Sequence, residues 1–311
     1  MNTILVVGVD TTVGANCASR LADKRSVVGL SSHRSVSVDG CDTQLFDNEN
    51  PSEAESWLSD VRPARVLYCG PEARSCWDPE TADHMTAGSV AAAARWASAS
   101  QAAGAEFTMI SSDAVFTGPW IFHDEESLAV CRSAQATAIR EAEKQIREAC
   151  PESLIVRTNA FGWSPTNDGG WIERLLSTVE NRRTVDADCI RHATPILATD
   201  LAEIIDRAWQ EELTGVFHIA GAERVSPMQF AQRLADQFDL PWLSLRREQS
   251  LVELPQGFGV GETSLQTKKI RKALCVAMPM LSEGLARLHT QRYGDMDSVP
   301  VDESHVTARV A

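Results

Sequence analysis

The sequence predicts an α/β fold: a doubly wound parallel sheet with a smaller C-terminal lobe attached. Three observations lead there. Short β-branched runs alternate with amphipathic helical stretches between Thr3 and Val156. The first run enters a glycine turn and then a helix, Gly8-Val9-Asp10-Thr11-Thr12-Val13-Gly14. After Ala160 the alternation loosens, first into a loop rich in Pro, Asn and Gly. Parallel strands need long crossover connections, and helices supply them, so the rhythm specifies a sheet covered on both faces.

Thr3 to Val7 reads as a buried strand closed by Gly8. The helix that follows, from about Val13, puts Val13, Cys17 and Leu21 on one face. Val27 to Leu30 is the second apolar run and Thr43 to Phe46 a weaker third. Asn50-Pro51-Ser52-Glu53 reads as a helix start, with Asn50 as N-cap, Pro51 at the first position and Glu53 closing a capping box. Arg65 to Tyr68 is a strand, Thr86 to Ala103 an alanine-rich helix stopped by Gly104, and Phe107 to Ile110 another strand. Ala134 to Ala149 is an amphipathic helix. Ile139, Ala142, Ile146 and Ala149 share its apolar face, while Arg140, Glu143, Lys144 and Arg147 share the solvated one. Ser153 to Val156 is a strand, and Trp163 to Gly170 a loop. Asp200-Leu201-Ala202-Glu203 and Ser226-Pro227-Met228-Gln229 read as capping-box helix starts, with the strand Gly215 to Ile219 between them.

Composition excludes several classes of function. The 311 residues carry 43 acids against 29 Lys and Arg, a net charge of −14, so neither phosphate backbones nor anionic membranes are expected partners. No apolar stretch approaches a membrane span, and Ile4 to Val7 lacks the basic flank of a signal peptide. The eight cysteines are scattered without a CxxC pair, which fits reduced thiols in a cytoplasmic protein and predicts no metal site.

Strand, glycine turn and helix in that order form the phosphate-binding corner of a Rossmann fold, where a helix N-terminus offers free N–H groups to a pyrophosphate. Gly8 and Gly14 fit the ends of a G-x-x-G-x-x-G pattern, but its middle position is Thr11. A β-branched residue there adds bulk and resists positive φ. A plain strand–helix turn without ligand is therefore the alternative reading. The second strand ends in Leu30-Ser31-Ser32-His33-Arg34 without an acid. An acid there would favour NAD(H); Ser31, Ser32 and Arg34 suit a 2′-phosphate, so NADP(H) is preferred over NAD(H), against a solvated polar loop that binds neither. On this reading residues 1–160 are the dinucleotide-binding domain, with 191–220 returning to it. Segments 161–190 and 221–290 make the substrate-binding lobe, and 291–311 a polar tail.

Five segments, in order, resemble the dTDP-4-dehydrorhamnose reductase-like (RmlD-like) extended short-chain dehydrogenases. They are Ile110-Ser111-Ser112-Asp113-Ala114-Val115-Phe116, Leu154 to Thr158, Thr194-Pro195 with Asp200-Leu201-Ala202, Gly215 to Gly221 with Ser226, and Thr263 to Lys269. The resemblance spans roughly residues 3 to 290. It implies hydride transfer from NAD(P)H to a nucleotide-sugar ketone. It also implies an adenine contact at Asp47 and a cofactor contact at Gly70, where Tyr68-Cys69-Gly70 replaces the family's N-A-A. Ser112 falls on the family Ser/Thr that holds the carbonyl oxygen. A family tyrosine gives the proton, and a lysine four residues on lowers its pKa.

That pair is missing. Aligning Ala142-Glu143 with the family's G-E puts Gln135 in place of tyrosine and Ile139 in place of lysine. The two tyrosines, Tyr68 and Tyr293, are followed four residues later by Glu72 and Asp297. Gln135 has no proton to give at neutral pH. The sequence therefore favours an NAD(P)-binding family member without the standard reductase turnover. Two alternatives stand beside it. One is an active reductase with a substitute acid among His123, Asp124, Cys131 and Arg140. The other is a regulatory or interaction subunit that binds no cofactor, with the helix Ala134 to Ala149 as a candidate homodimer face.

Overall fold

The structure is a computed structural model that describes residues 3–48, 50–78, 87–166, 169–242, 245–247 and 257–294. Thr86 and the tail beyond Gly294 lie outside the described residues. The chain runs β1 (Ile4–Val7), α1 (Thr12–Ala22), β2 (Val27–Ser31), β3 (Asp42–Leu45), α2 (Glu53–Val61), β4 (Arg65–Tyr68), α3 (Ala87–Ala103), β5 (Glu106–Ser112), α4 (Ala134–Ala149) and β6 (Leu154–Thr158). It continues through β7 (Ala160–Phe161), α5 (Trp171–Glu180), β8 (Val185–Ala187), β9 (Ile196–Leu197), α6 (Ala198–Gln210), β10 (Gly215–His218), α7 (Pro227–Gln237), β11 (Leu245–Arg247), α8 (Lys268–Leu274) and α9 (Leu281–Tyr293).

The main sheet has seven parallel strands in the order β10-β6-β5-β4-β1-β2-β3. Strand order therefore reverses between β1 and β4, which pair Ile4 with Arg65 and Val7 with Tyr68. In sheets of this kind the crevice at the carboxyl ends of those strands is where ligands bind. Alternation along β1 explains both layers: Ile4 and Val6 enter one core with α1 and α6, and Leu5 and Val7 enter the other with α2, α3 and α4. Because both faces are covered, β1 is buried throughout. Edge strand β3 is short and largely exposed, which blunts edge pairing.

Small residues let α1 and α6 approach closely; Cys17 reaches the Ala198 carbonyl at 3.6 Å. Segment 191–220 contributes β10, which pairs with β6, and α6, which covers β1. A third core joins α5, α7 and α9 to Trp77 and Phe161, with Phe230 packed edge-on against both rings at 5.7 and 5.2 Å.

Three sequence expectations are corrected. Glu143 is not on a solvated face: it is buried and takes both Arg157 Nε (2.9 Å) and the terminal guanidinium nitrogen (2.7 Å), plus the Ser111 hydroxyl (2.6 Å). Its partner lies on β6, beyond what helix periodicity reveals. The second helix begins at Glu53, not Pro51; Asn50 instead accepts from the Ser52 amide and hydroxyl. The helix expected from Asp200 begins at Ala198 with Leu197 as cap, and Asp200 faces Arg287 at 2.6 Å. The box at Ser226 forms as read, with both reciprocal bonds present.

Candidate functional site

At the end of β1, Gly8 has φ +93°, and an added Cβ would sit 2.0 Å from the Cys69 carbonyl oxygen. A Cβ on Gly14 would sit 2.1 Å from the Gly8 carbonyl oxygen. Both glycines are thus required by close backbone approach. Thr11 differs from the sequence expectation of strain: its φ is −89° and it is the N-cap of α1. Its hydroxyl donates to the Gly8 carbonyl (2.8 Å) and accepts from the Gly14 amide (3.0 Å). A side chain thereby satisfies an amide of the helix start, and the turn closes on itself.

The crevice beside this turn has a volume of about 530 Å³. One wall is the loop itself, with Gly8, Asp10 and Thr11. Ser32, His33, Phe46 and Asn48 come from the ends of β2 and β3, and Tyr68, Gly70 and Arg74 from the end of β4. Ser89 and Arg95 of α3 close the far side. Arg95 donates to the Asn48 carbonyl at 3.0 Å. Arg74 Nε is buried with no hydrogen-bond partner. Asp10 Oδ1 is likewise buried and unpartnered.

Glu72 sits in the short 3₁₀ turn after β4, 1% exposed, with neither carboxylate oxygen hydrogen-bonded. A Cβ on Gly70 would approach it within 2.4 Å and the Tyr68 hydroxyl within 2.8 Å. Desolvation pushes the Glu72 carboxyl up to about 7. Burial likewise drives the Tyr68 phenol upward, away from easy ionisation, with Glu72 adding to the rise and Arg95 opposing it.

Of the residues singled out for a cofactor, Gly8, Thr11 and Gly70 line this crevice, and Gly14 supports its floor. Ser31 is buried and gives its hydroxyl to the Arg34 carbonyl, so the neighbouring Ser32 and His33 face the space instead. Arg34 and Asp47 are exposed.

The end of β5 has a different character. Ser112 is 2% exposed, and its hydroxyl caps the following turn by accepting from the Ala114 amide at 3.1 Å. Asp113 is fully buried among donors: Asn159 (3.1 Å), Thr263 (2.7 Å) and the Cys76 thiol (3.3 Å). Desolvation still outweighs these bonds and pushes its carboxyl up to about 6. The loop at Gly259 rests on Cys76, where a Cβ would come within 2.6 Å of the Cys76 Cβ, and Cys131 points at the Gly257 carbonyl at 3.2 Å.

Gln135 occupies the first turn of α4, partly exposed. Ile139 is 0% exposed and packs in a core with Val115, Phe116, Ala220 and Leu265. The four substitute acids turn elsewhere. His123 meets Ser127 and the Glu262 carbonyl, Asp124 accepts from the Glu126 amide, Cys131 faces Gly257, and Arg140 reaches Thr137.

Sheet order, glycine turn and crevice together define a Rossmann-type protein built like the extended short-chain dehydrogenases. The family model described as RmlD substrate binding domain matches residues 1–291, and the chain belongs to that family. Among solved structures it is similar to dTDP-4-dehydrorhamnose reductase from Bacillus anthracis str. Ames in complex with NADP. That likeness has 18% identity, covers 94% of this chain and 100% of that one, and has a TM-score of 0.74. It is also similar to the Bordetella bronchiseptica enzyme WbmH in complex with NAD+, at 14% identity, 94% and 100% coverage and a TM-score of 0.73. No curated protein matches the chain. Among the described residues no helix is long and apolar enough to cross a membrane, and no cluster of His, Cys, Asp and Glu could hold a metal.

The residues present fit a nicotinamide dinucleotide at one end alone. Gly8, Gly14 and the β2–β4 loops would hold an adenosine half. At the other end, Ser112, Cys76 and Asp113 are buried against one another. Sequence reading missed Asp10, Glu72, Arg74 and Arg95. The first three follow β1 and β4 directly, so the switch-point rule was the signal that could have found them.

Proposed function

We propose that this chain is a nucleotide-binding member of the RmlD family that does not reduce ketones by the Tyr–Lys route. One observation carries the reading: Ile139, which the resemblance aligns with the family's lysine, is buried in an apolar core. A lysine ammonium there would be packed among the buried apolar side chains of Val115, Phe116 and Leu265. Gln135 and the turn-capping Ser112 agree with it. Losing a positioned acid alone lowers rates by roughly 10²–10⁴. For any dinucleotide that enters, Ser32 and His33 at the end of β2, without an acid, favour NADP(H) over NAD(H). A nucleotide-sugar ligand in the adjoining lobe and pairing of two copies through α4 belong to the same reading.

The test is a titration with NADPH and NADH followed by thermal shift, beside an NADPH-oxidation assay on a dTDP-4-keto sugar. The expected result is a raised melting temperature without turnover. Ketone reduction that falls on Ser112→Ala would overturn the reading.

A further inference from the structure

The crevice at the switch point differs from a dinucleotide site in three independent ways. The first is its phosphate corner. Thr11 already accepts from the Gly14 amide, and the Asp10 side chain lines the same space with a buried, unpartnered oxygen. A pyrophosphate held at a helix start needs free amides and no nearby anion. Here one amide is taken and a carboxylate stands beside the rest.

The second is the opposite wall. Partly buried arginines elsewhere in the chain pair with acids: Arg25 with Asp206, Arg157 with Glu143, Arg191 with Asp188, Arg224 with Glu262. Arg74 and Arg95 both line the crevice, and neither has a carboxylate partner among the described residues. In a chain of net charge −14, two guanidinium groups that face one cavity without a carboxylate among the described residues suit an anion, since guanidinium forks match phosphate oxygens.

The third is length. The space measures about 530 Å³, in the lower half of the range for small-molecule pockets. Ser112, which by the resemblance belongs beside a nicotinamide, is buried in the Cys76–Asp113 lattice under the Gly259 loop.

We infer that the crevice takes a single nucleoside phosphate, its phosphate held by Arg74 and Arg95 in place of the α1 N-terminus, and that a nicotinamide half adds nothing to binding. The inference rests on the nucleotide-binding reading above and sharpens its ligand. Phe46, edge-on to Trp96 at 5.8 Å, offers the base an aromatic wall.

The experiment is calorimetric titration of the full chain with AMP, ADP and NADP+, repeated on Arg74→Gln, Arg95→Gln, Arg74→Lys and Asp10→Asn. AMP and NADP+ are expected to bind within about threefold of each other. Each glutamine variant should weaken AMP by roughly tenfold, as loss of a charge-assisted bond does. Arg74→Lys should recover part of that loss. Melting temperatures of the unliganded variants check folding, and either glutamine variant suffices if the other fails to fold. Asp10→Asn should strengthen ADP more than AMP. The inference is overturned if NADP+ binds more than about a hundredfold tighter than AMP. AMP affinity indifferent to both arginines, or no AMP binding, would also overturn it. NADP+ binding more than about a hundredfold tighter than AMP, without turnover, would sink this inference and leave the proposed function standing. AMP binding together with ketone reduction would do the reverse.

Discussion

The carboxyl edge of the sheet has two halves that were built to different specifications. Beside β1, β2 and β4 lies an open crevice with unsatisfied polar atoms: Asp10 Oδ1 and Arg74 Nε, with the Glu72 carboxyl behind Gly70. Beside β5 and β6 most polar atoms have found each other, with Arg157 Nη1 and Thr158 Oγ1 left over. Asp113 collects Asn159, Thr263 and Cys76; Glu143 collects Arg157 and Ser111. Buried polar groups that satisfy one another rigidify a structure, whereas unsatisfied ones await a partner. The contrast teaches that polar groups at one half of the edge stay open to a guest while most at the other are engaged with one another, which is the division the proposed function requires.

The strongest way to break that comparison is to rebuild the family's pair. In the double variant Gln135→Tyr, Ile139→Lys an ammonium enters a sealed apolar core. Stability should fall by about 4 kcal/mol or more, with no gain of ketone reduction. Urea unfolding and NADPH oxidation read both outcomes; a stable, active variant would show the second half to be a dormant active site. Next in size is Glu143→Ala, which leaves the Arg157 guanidinium buried without its counter-ion. A loss of about 3 to 4 kcal/mol is expected in urea unfolding, with AMP affinity unchanged.

The open half is probed by pH. Folding raises the Glu72 carboxyl from 4.5 to about 7, so the folded chain holds this proton more tightly than the unfolded one. The stabilisation from that proton is complete below pH 4.5 and disappears as pH climbs to about 7. Glu72→Gln cannot ionise. Relative to wild type, its stability should therefore rise across that window by about 2 to 3 kcal/mol and level off above it. Parallel stability–pH curves for the two proteins would show that Glu72 is not the group that titrates. The smallest effect is expected for Ser112→Ala: about 1 kcal/mol, from loss of the cap on the Ala114 amide, and no change in nucleotide binding. A large loss of binding would place Ser112 in the ligand site after all.

Local signals carried most of the fold. β4 and α4 have the bounds read from apolar runs and helical periodicity, and Ser226 with Gln229 forms the reciprocal cap their spacing specifies. What escaped were pairings across the chain. Glu143 looked solvated because Arg157 lies on another element. The Asp113 lattice joins residues as far apart as Cys76 and Thr263, and no periodicity records such a meeting. Arg95 on the alanine-rich helix meets the Asn48 carbonyl, a contact across the chain of the same kind. The loss of tyrosine and lysine, by contrast, was plain from the sequence, since it depends on identities and not on geometry.

Thr11 has one more implication. In a flexible glycine corner, part of the binding free energy goes into ordering the backbone when the guest arrives. Here a hydroxyl ties both ends of the corner from within. The corner is set when the polypeptide folds, and hydrogen exchange at the Gly14 amide should be equally slow whether or not a nucleotide has docked.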